Sequence, residues 1–248
     1  MNTTVKTLVW ICIFSIAMAA LESAVVVYLR ALFYPDGFSV AFRLIDERIL
    51  GVEIVRELAT LVMLLAVGYL AGRTFNERFA YFLLAFAIWD IFYYGWLKVL
   101  IDWPGSVFEW DVLFLIPYTW LGPVWAPLVC SATMIVLALV LLKSEGPVSS
   151  LVWTLLVGGS LLILYTFMVD YGTLIVNNGF VKDYPYLLQN PDFLKLASEF
   201  SPKSFQEVVF WMGEALLIAA IYVQGRAVSA FKVFVRRPNV LRTDNTSY

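Results

Sequence analysis

The chain has 248 residues, of which 61% are hydrophobic and 15% are charged, with a net charge of −2 and no histidine. Soluble domains carry roughly 45–50% apolar and about 25% charged residues, so this composition predicts a polytopic membrane protein. The slightly negative charge argues against nucleic acid as a partner, since that surface needs clustered basic residues. The absence of histidine argues against histidine-ligated haem or zinc and against a Ser-His-Asp triad, and no particular cofactor is indicated.

Six segments are long and apolar enough to cross a bilayer, which takes about 20 residues. They lack the alternation of a membrane β-barrel, so the predicted fold class is all-α, a single six-helix transmembrane domain. The segments lie at about 7–29, 50–72, 78–100, 121–142, 150–173 and 207–230, followed by a basic tail at 231–248. The first resembles a secretory signal after Lys6, but its apolar run continues to Tyr28 and predicts a retained helix.

The distribution of lysine and arginine predicts the orientation. With the N-terminus inside, nine basic residues lie on the cytoplasmic side and five lie in the opposite loops. This excess predicts a multi-pass protein of the cell membrane with both termini in the cytoplasm. The two cysteines, Cys12 and Cys130, lie within apolar segments and are interpreted as buried small hydrophobic residues.

The ionisable residues of these segments concentrate in the outer half of the membrane. Glu53, Arg56 and Glu57 are spaced i,i+3 and i,i+4, so they share one helix face. Segments such as 59–71, 79–89 and 150–169 contain no charged side chain. The predicted polar binding cluster comprises Glu22, Glu53, Arg56, Glu57, Asp90, Tyr94, Lys98, Asp170 and Glu214.

The charge count of this cluster limits its chemistry. A charged residue near mid-membrane costs about 2.5–3.5 kcal/mol, so these groups should face the bundle interior. With Arg30 included, six acids stand against three bases, which leaves three carboxylates for a proton relay, a cation or general acid catalysis. Groups near helix ends, such as Lys98 and Asp170, have an alternative interpretation: their side chains extend to the membrane–water interface. Internal ion pairs have the alternative role of fixing helix packing alone. No metal site is predicted from ligand spacing.

The outer loops are long and rich in aromatic residues. Four prolines between 104 and 127 prevent one continuous helix, and Ser106–Ile116 is predicted to form a short interfacial helix. A second short helix is predicted at 191–200 with Asn190 as its cap. Four tryptophans are candidates for an interfacial belt or for a lid over the charged site: Trp103, Trp110, Trp120 and Trp125.

These features predict an integral membrane protein that binds or handles a small amphipathic, lipid-like molecule or a cation. Whether it converts that molecule stays open, since no phosphate-binding loop, Cys-x-x-Cys or His-Glu-x-x-His motif is present. The alternatives are an ion- or proton-coupled transporter, a lipid-modifying enzyme using carboxylates, and a non-catalytic subunit of a membrane complex. The partners expected are membrane lipids, with a membrane-protein partner or a second copy as further options.

Overall fold

The computed structural model describes residues 3–34, 47–144, 146–182, 187, 190–202 and 204–236. Over these residues the chain is mostly helical, with one short β-hairpin. The helices are α1 (Thr3–Phe33), α2 (Glu47–Ala71), α3 (Phe75–Ile101), α4 (Trp125–Leu141), α5 (Ser150–Asn177), α6 (Pro191–Ser198) and α7 (Glu207–Arg236). The strands are β1 (Trp110–Phe114) and β2 (Trp120–Pro123).

Four of the described helices are long and apolar enough to cross a membrane, which indicates a membrane protein. They are α1, α3, α5 and the part of α7 from Glu207 to Ala227. The apolar helix α4 has 17 residues, and at 1.5 Å per residue it extends about 25 Å, less than a full hydrocarbon core of about 30 Å. The 25-residue helix α2 carries five ionisable residues in its first half: Glu47, Arg48, Glu53, Arg56 and Glu57.

Helix α3 is the centre of the bundle and packs against α1, α2 and α4. Two polar contacts join it to α1 within this packing. The indole N–H of Trp96 donates to the Ile16 carbonyl at 3.0 Å, and the Ser23 hydroxyl donates to the Tyr93 carbonyl at 3.0 Å. Each contact satisfies a polar group away from water, which a helix interface in lipid requires.

Helices α5 and α7 form the second packed unit, and α7 also contacts α4. They approach closely at a pair of glycines: a Cβ on Gly159 would lie 2.7 Å from the Gly213 carbonyl oxygen. A Cβ on Gly213 would lie 2.8 Å from the Gly159 carbonyl oxygen. Small residues at helix crossings allow this approach, and van der Waals packing then holds the pair.

The connections at the two ends of the bundle differ as the sequence predicts. The α2–α3 connection is short, and Thr74 caps α3 in a capping box with Glu77. The α3–α4 connection at the opposite end is long and contains the hairpin. On the same side, the side chain of Asn190 caps α6 over Pro191–Ser198.

The helix predicted for Ser106–Ile116 is wrong, because β1 lies within it and pairs antiparallel with β2. The register joins Trp110 to Pro123 and Val112 to Leu121. Aromatic and β-branched residues favour an extended backbone, and the second strand supplies the hydrogen bonds that a helix would have made internally. The fold is therefore helical with a β-hairpin rather than all-α.

The hairpin also changes the start of the fourth predicted segment. Residues 121–123 belong to β2, and α4 begins at Trp125. Pro127 falls in its first turn, where a missing N–H costs nothing because that group has no partner within the helix. At the other terminus α7 continues to Arg236, past the predicted start of the tail, and residues 237–248 lie outside the described residues.

Candidate functional site

A cavity of about 250 Å³ lies at the end of the bundle where α1, α3 and α5 end and α2 and α4 begin. Its walls come from these five helices and from the hairpin. Five carboxylates and two guanidinium groups line it, among aromatic and aliphatic side chains. The ionisable lining residues with carboxylate or guanidinium groups are Glu22, Arg30, Glu53, Arg56, Glu57, Asp90 and Asp111.

Arg56 is the main cation on the α2 side of the cavity. Its Nε donates to Glu53 Oε2 at 2.7 Å, the i,i+3 contact that the sequence spacing allows. The same guanidinium forms an ion pair with Glu22 on α1. The Thr60 hydroxyl also donates to Glu22 at 3.2 Å, so Glu22 has partners from two turns of α2. One arginine therefore joins two carboxylates and links α2 to α1 through side chains.

Glu57 and Asp90 also line the cavity, but with neutral partners. Both carboxylate oxygens of Glu57 accept from the backbone N–H of Leu115, at 3.1 and 3.0 Å. Asp90 Oδ2 accepts from the Ser131 hydroxyl of α4 at 2.8 Å. Within the described part of the chain, neither carboxylate lies within ion-pair distance of a lysine or arginine.

Arg30 and Asp111 form a buried ion pair that sequence reasoning missed. Arg30 at the end of α1 donates to Asp111 Oδ1 of β1 at 3.2 Å, and its guanidinium lies 3.8 Å from the centre of the Trp103 ring. Burial raises the pKa of the Asp111 carboxyl to about 6, although Arg30, a backbone N–H and the Tyr94 hydroxyl act in the opposite direction. The pair attaches the hairpin to the helix bundle, as Glu57 does through Leu115.

Three residues of the predicted polar cluster lie away from the cavity. Lys98 is exposed at the end of α3, where it pairs with Asp102 at 2.7 Å and donates to the Pro104 carbonyl. The hydrogen bond and charge of Lys98 lower the pKa of exposed Asp102. Asp170 is half-buried on α5 and is not among the lining residues.

Glu214 is the third predicted residue that lies away from the cavity. It is almost completely buried, with 1% of its surface exposed. Its Oε2 accepts from the Thr133 hydroxyl of α4 at 2.7 Å. Its other oxygen, Oε1, has no hydrogen-bond partner among the described residues. The carboxyl lies beside Cys130, which lines the cavity, so Glu214 stands behind the α4 wall rather than within the site.

The four candidate lid tryptophans do not act as one group. Trp120 lines the cavity beside Phe114, with ring centres 5.3 Å apart, and Trp103 supports Arg30. Trp110 and Trp125 instead pack against Phe205, which precedes α7. The element that covers the cavity is thus the hairpin, which contributes Asp111–Leu115, Thr119 and Trp120.

No family model matches the chain, and no curated protein or solved structure is similar to it. The features that indicate a function are therefore the cavity, its charges and the hairpin that lines it.

Proposed function

We propose that this chain is a six-span membrane protein that binds a small amphipathic molecule in the cavity. In this proposal α2 and α4 cross the bilayer together with α1, α3, α5 and α7, and both termini lie in the cytoplasm. The hairpin end then faces outward, and the cavity lies in the outer half of the membrane. The packing of α3 against both α2 and α4 supports six spans, since α3 would otherwise expose those faces to lipid.

The composition of the cavity wall carries the proposal. Carboxylates and arginines stand beside a largely aromatic and aliphatic surface, which suits a molecule with one polar and one apolar part. The apolar part of the wall includes Phe86, Trp89, Leu113, Phe114, Met134 and Phe167. Because its volume lies below the roughly 300–1,000 Å³ of sites for drug-sized ligands, we propose a smaller ligand or part of a longer one.

Filling the cavity should abolish binding. Val26 of α1 lines the cavity, so Val26→Trp should place an indole in the space that the ligand needs. Leu21→Trp is the matched control, because Leu21 on the same helix is 73% exposed and faces outward. Each protein is purified from membranes, and native mass spectrometry measures the small molecules that remain bound.

We expect wild type and Leu21→Trp to retain the same small molecule and Val26→Trp to lose it. Equal retention by Val26→Trp would contradict binding in this cavity. The absence of any retained molecule from all three proteins would count against the proposal as well.

The orientation has a separate test with single cysteines in a Cys12→Ser, Cys130→Ser background. Val107 is exposed in the connection that contains the hairpin, and Lys143 is exposed at the other end of the bundle. On intact cells, a membrane-impermeant maleimide should label Val107→Cys and should label Lys143→Cys only after permeabilisation. The reverse pattern would invert the orientation and place the cavity in the inner half.

A further inference from the structure

Among the described residues that line the cavity there are five carboxylates and two arginines, and these arginines pair with three of the carboxylates. Arg56 is engaged by Glu22 and Glu53, and Arg30 is engaged by Asp111 and by the Trp103 ring. Glu57 and Asp90 remain on the wall with a backbone N–H and a hydroxyl as their partners. A nearby cation stabilises the charged form of a carboxylate in a low-dielectric site more than one neutral hydrogen-bond donor does.

The cavity wall next to Asp90 suits an organic cation. Trp89 and Tyr93 lie beside Asp90 on α3, with ring centres 6.4 Å apart, and both line the cavity. Aromatic faces attract ammonium groups, and this attraction strengthens where water is excluded. The rings also provide the apolar contact that the methyl or methylene groups of such a cation need.

Trp89 provides an independent indication of a ligand with a hydrogen-bond acceptor. Its side chain is 6% exposed, and its indole N–H has no acceptor among the described residues. A buried donor without a partner is energetically costly, so native structures rarely leave one unpaired. An oxygen on a molecule in the cavity would accept this hydrogen bond.

The arrangement of the carboxylates favours an organic cation over a metal ion. Within the described ranges, no three acidic or cysteine side chains converge as a metal-binding group. A calcium ion takes 6–8 oxygen ligands at about 2.3–2.6 Å, which requires such convergence. Carboxylates distributed over the wall instead suit a charge spread over a larger group.

We propose that the ligand of this cavity is a small amphiphile with an ammonium head group, bound between Glu57 and Asp90 and against Trp89. This inference rests on the proposed function and adds the charge of the ligand. Its apolar part lies along the aromatic wall, and its ammonium group supplies a cation for Glu57 and Asp90, which have none within ion-pair distance among the described residues.

The test uses three probes of one chain length and different charge: octyltrimethylammonium, octan-1-ol and octanoate. The readout is the rate at which methyl methanethiosulfonate modifies Cys130 in the full-length Cys12→Ser protein, followed by mass spectrometry. Because Cys130 lines the cavity, slower modification reports a probe bound there. We expect octyltrimethylammonium to protect at a concentration about tenfold lower than octan-1-ol, with octanoate weakest.

Glu57→Gln and Asp90→Asn should each remove most of the preference for the cation and leave protection by octan-1-ol unchanged. Protection by octan-1-ol thus also shows that each variant keeps the folded cavity. Glu199→Gln is the control, since it removes one negative charge from an exposed position outside the cavity. It should leave the order of the three probes as in wild type.

The outcomes separate the two proposals. If octan-1-ol or octanoate protects as well as the cation, or if both variants keep the cation preference, the ammonium inference is overturned while binding in the cavity stands. If no probe protects Cys130, or if the reagent never reaches it, the proposed function falls and the inference with it.

Discussion

Replacing Arg56 by methionine is expected to destabilise the protein by about 3–5 kcal/mol, the cost of removing one partner from a buried ionic group. Arg56 is 20% exposed, and its two partners Glu22 and Glu53 are more buried. Without the guanidinium, both carboxylates stay in the cavity wall with no cation in contact. The bond between α2 and α1 is lost at the same time.

Neutralising Glu22 and Glu53 should restore much of the stability that Arg56→Met removes. In the Arg56→Met background, Glu22→Gln and Glu53→Gln remove the uncompensated charges, and Thr60 can still donate to the amide oxygen at position 22. The free energy of unfolding is measured by denaturant titration in one fixed detergent. Arg73→Met, which removes a cation from an exposed site, is the control and should change stability by less than about 0.5 kcal/mol. A small effect of Arg56→Met, or no rescue in the triple variant, would contradict a structural role for this network.

The network around Arg56 could be predicted because it depends on local spacing. An i,i+3 and i,i+4 pattern within one helix places Glu53, Arg56 and Glu57 on one face whatever the rest of the fold does. The depth of each ionisable residue in the membrane could be predicted in the same way, since it follows from the position of that residue within an apolar segment. Glu214, which the sequence predicts to lie deep in its segment, is almost completely buried within the protein.

Lateral position in the bundle could not be predicted from depth. Glu214 faces α4 from α7, whereas Asp90 faces the opposite side of α4 from α3. Two acids that the sequence predicts at similar depth therefore lie on different sides of one helix. Which helices become neighbours depends on contacts such as the Gly159–Gly213 crossing, and a list of apolar segments does not contain that information.

The hairpin was missed for a related reason. A proline-rich aromatic segment is compatible with a capped helix or with a strand, and only the pairing of β1 with β2 decides between them. Once Asp111 is assigned to a helix, its ion pair with Arg30, 81 positions earlier in the chain, has no signal in the sequence. The charge count of the site changed as a result, because Arg30 pairs with a loop acid and Lys98 with Asp102.

The second large effect is expected at Arg30. Replacing Arg30 by methionine removes the cation beside Asp111, which is 2% exposed. The free energy of opening of the hairpin should fall by about 3–5 kcal/mol at pH 8 as a result. Hydrogen–deuterium exchange, expressed as protection factors, should show lost protection over residues 110–123 while α5 and α7 keep theirs. Arg226→Met is the control, since Arg226 also lies over an aromatic ring, that of Tyr222, but at an exposed position. It should leave the hairpin protected.

The pH dependence of this effect follows from Asp111. Its pKa of about 6 in the folded protein exceeds the usual value of 3.8, so the folded state binds the proton more tightly than the unfolded state. Its contribution to stability is therefore fully present below about pH 4 and is lost as the pH rises through about 6. Arg30→Met removes a group that lowers this pKa, so the loss should move to higher pH, and acidification should restore hairpin protection in the variant. Asp111→Asn has no titrating carboxyl at position 111, so its hairpin protection should neither fall as the pH rises through about 6 nor be restored by acidification.

Because the same hairpin covers the cavity, Cys130 should react faster with methyl methanethiosulfonate in Arg30→Met at pH 8 than in wild type. Loss of hairpin protection without faster reaction at Cys130 would show that the hairpin does not control access to the site.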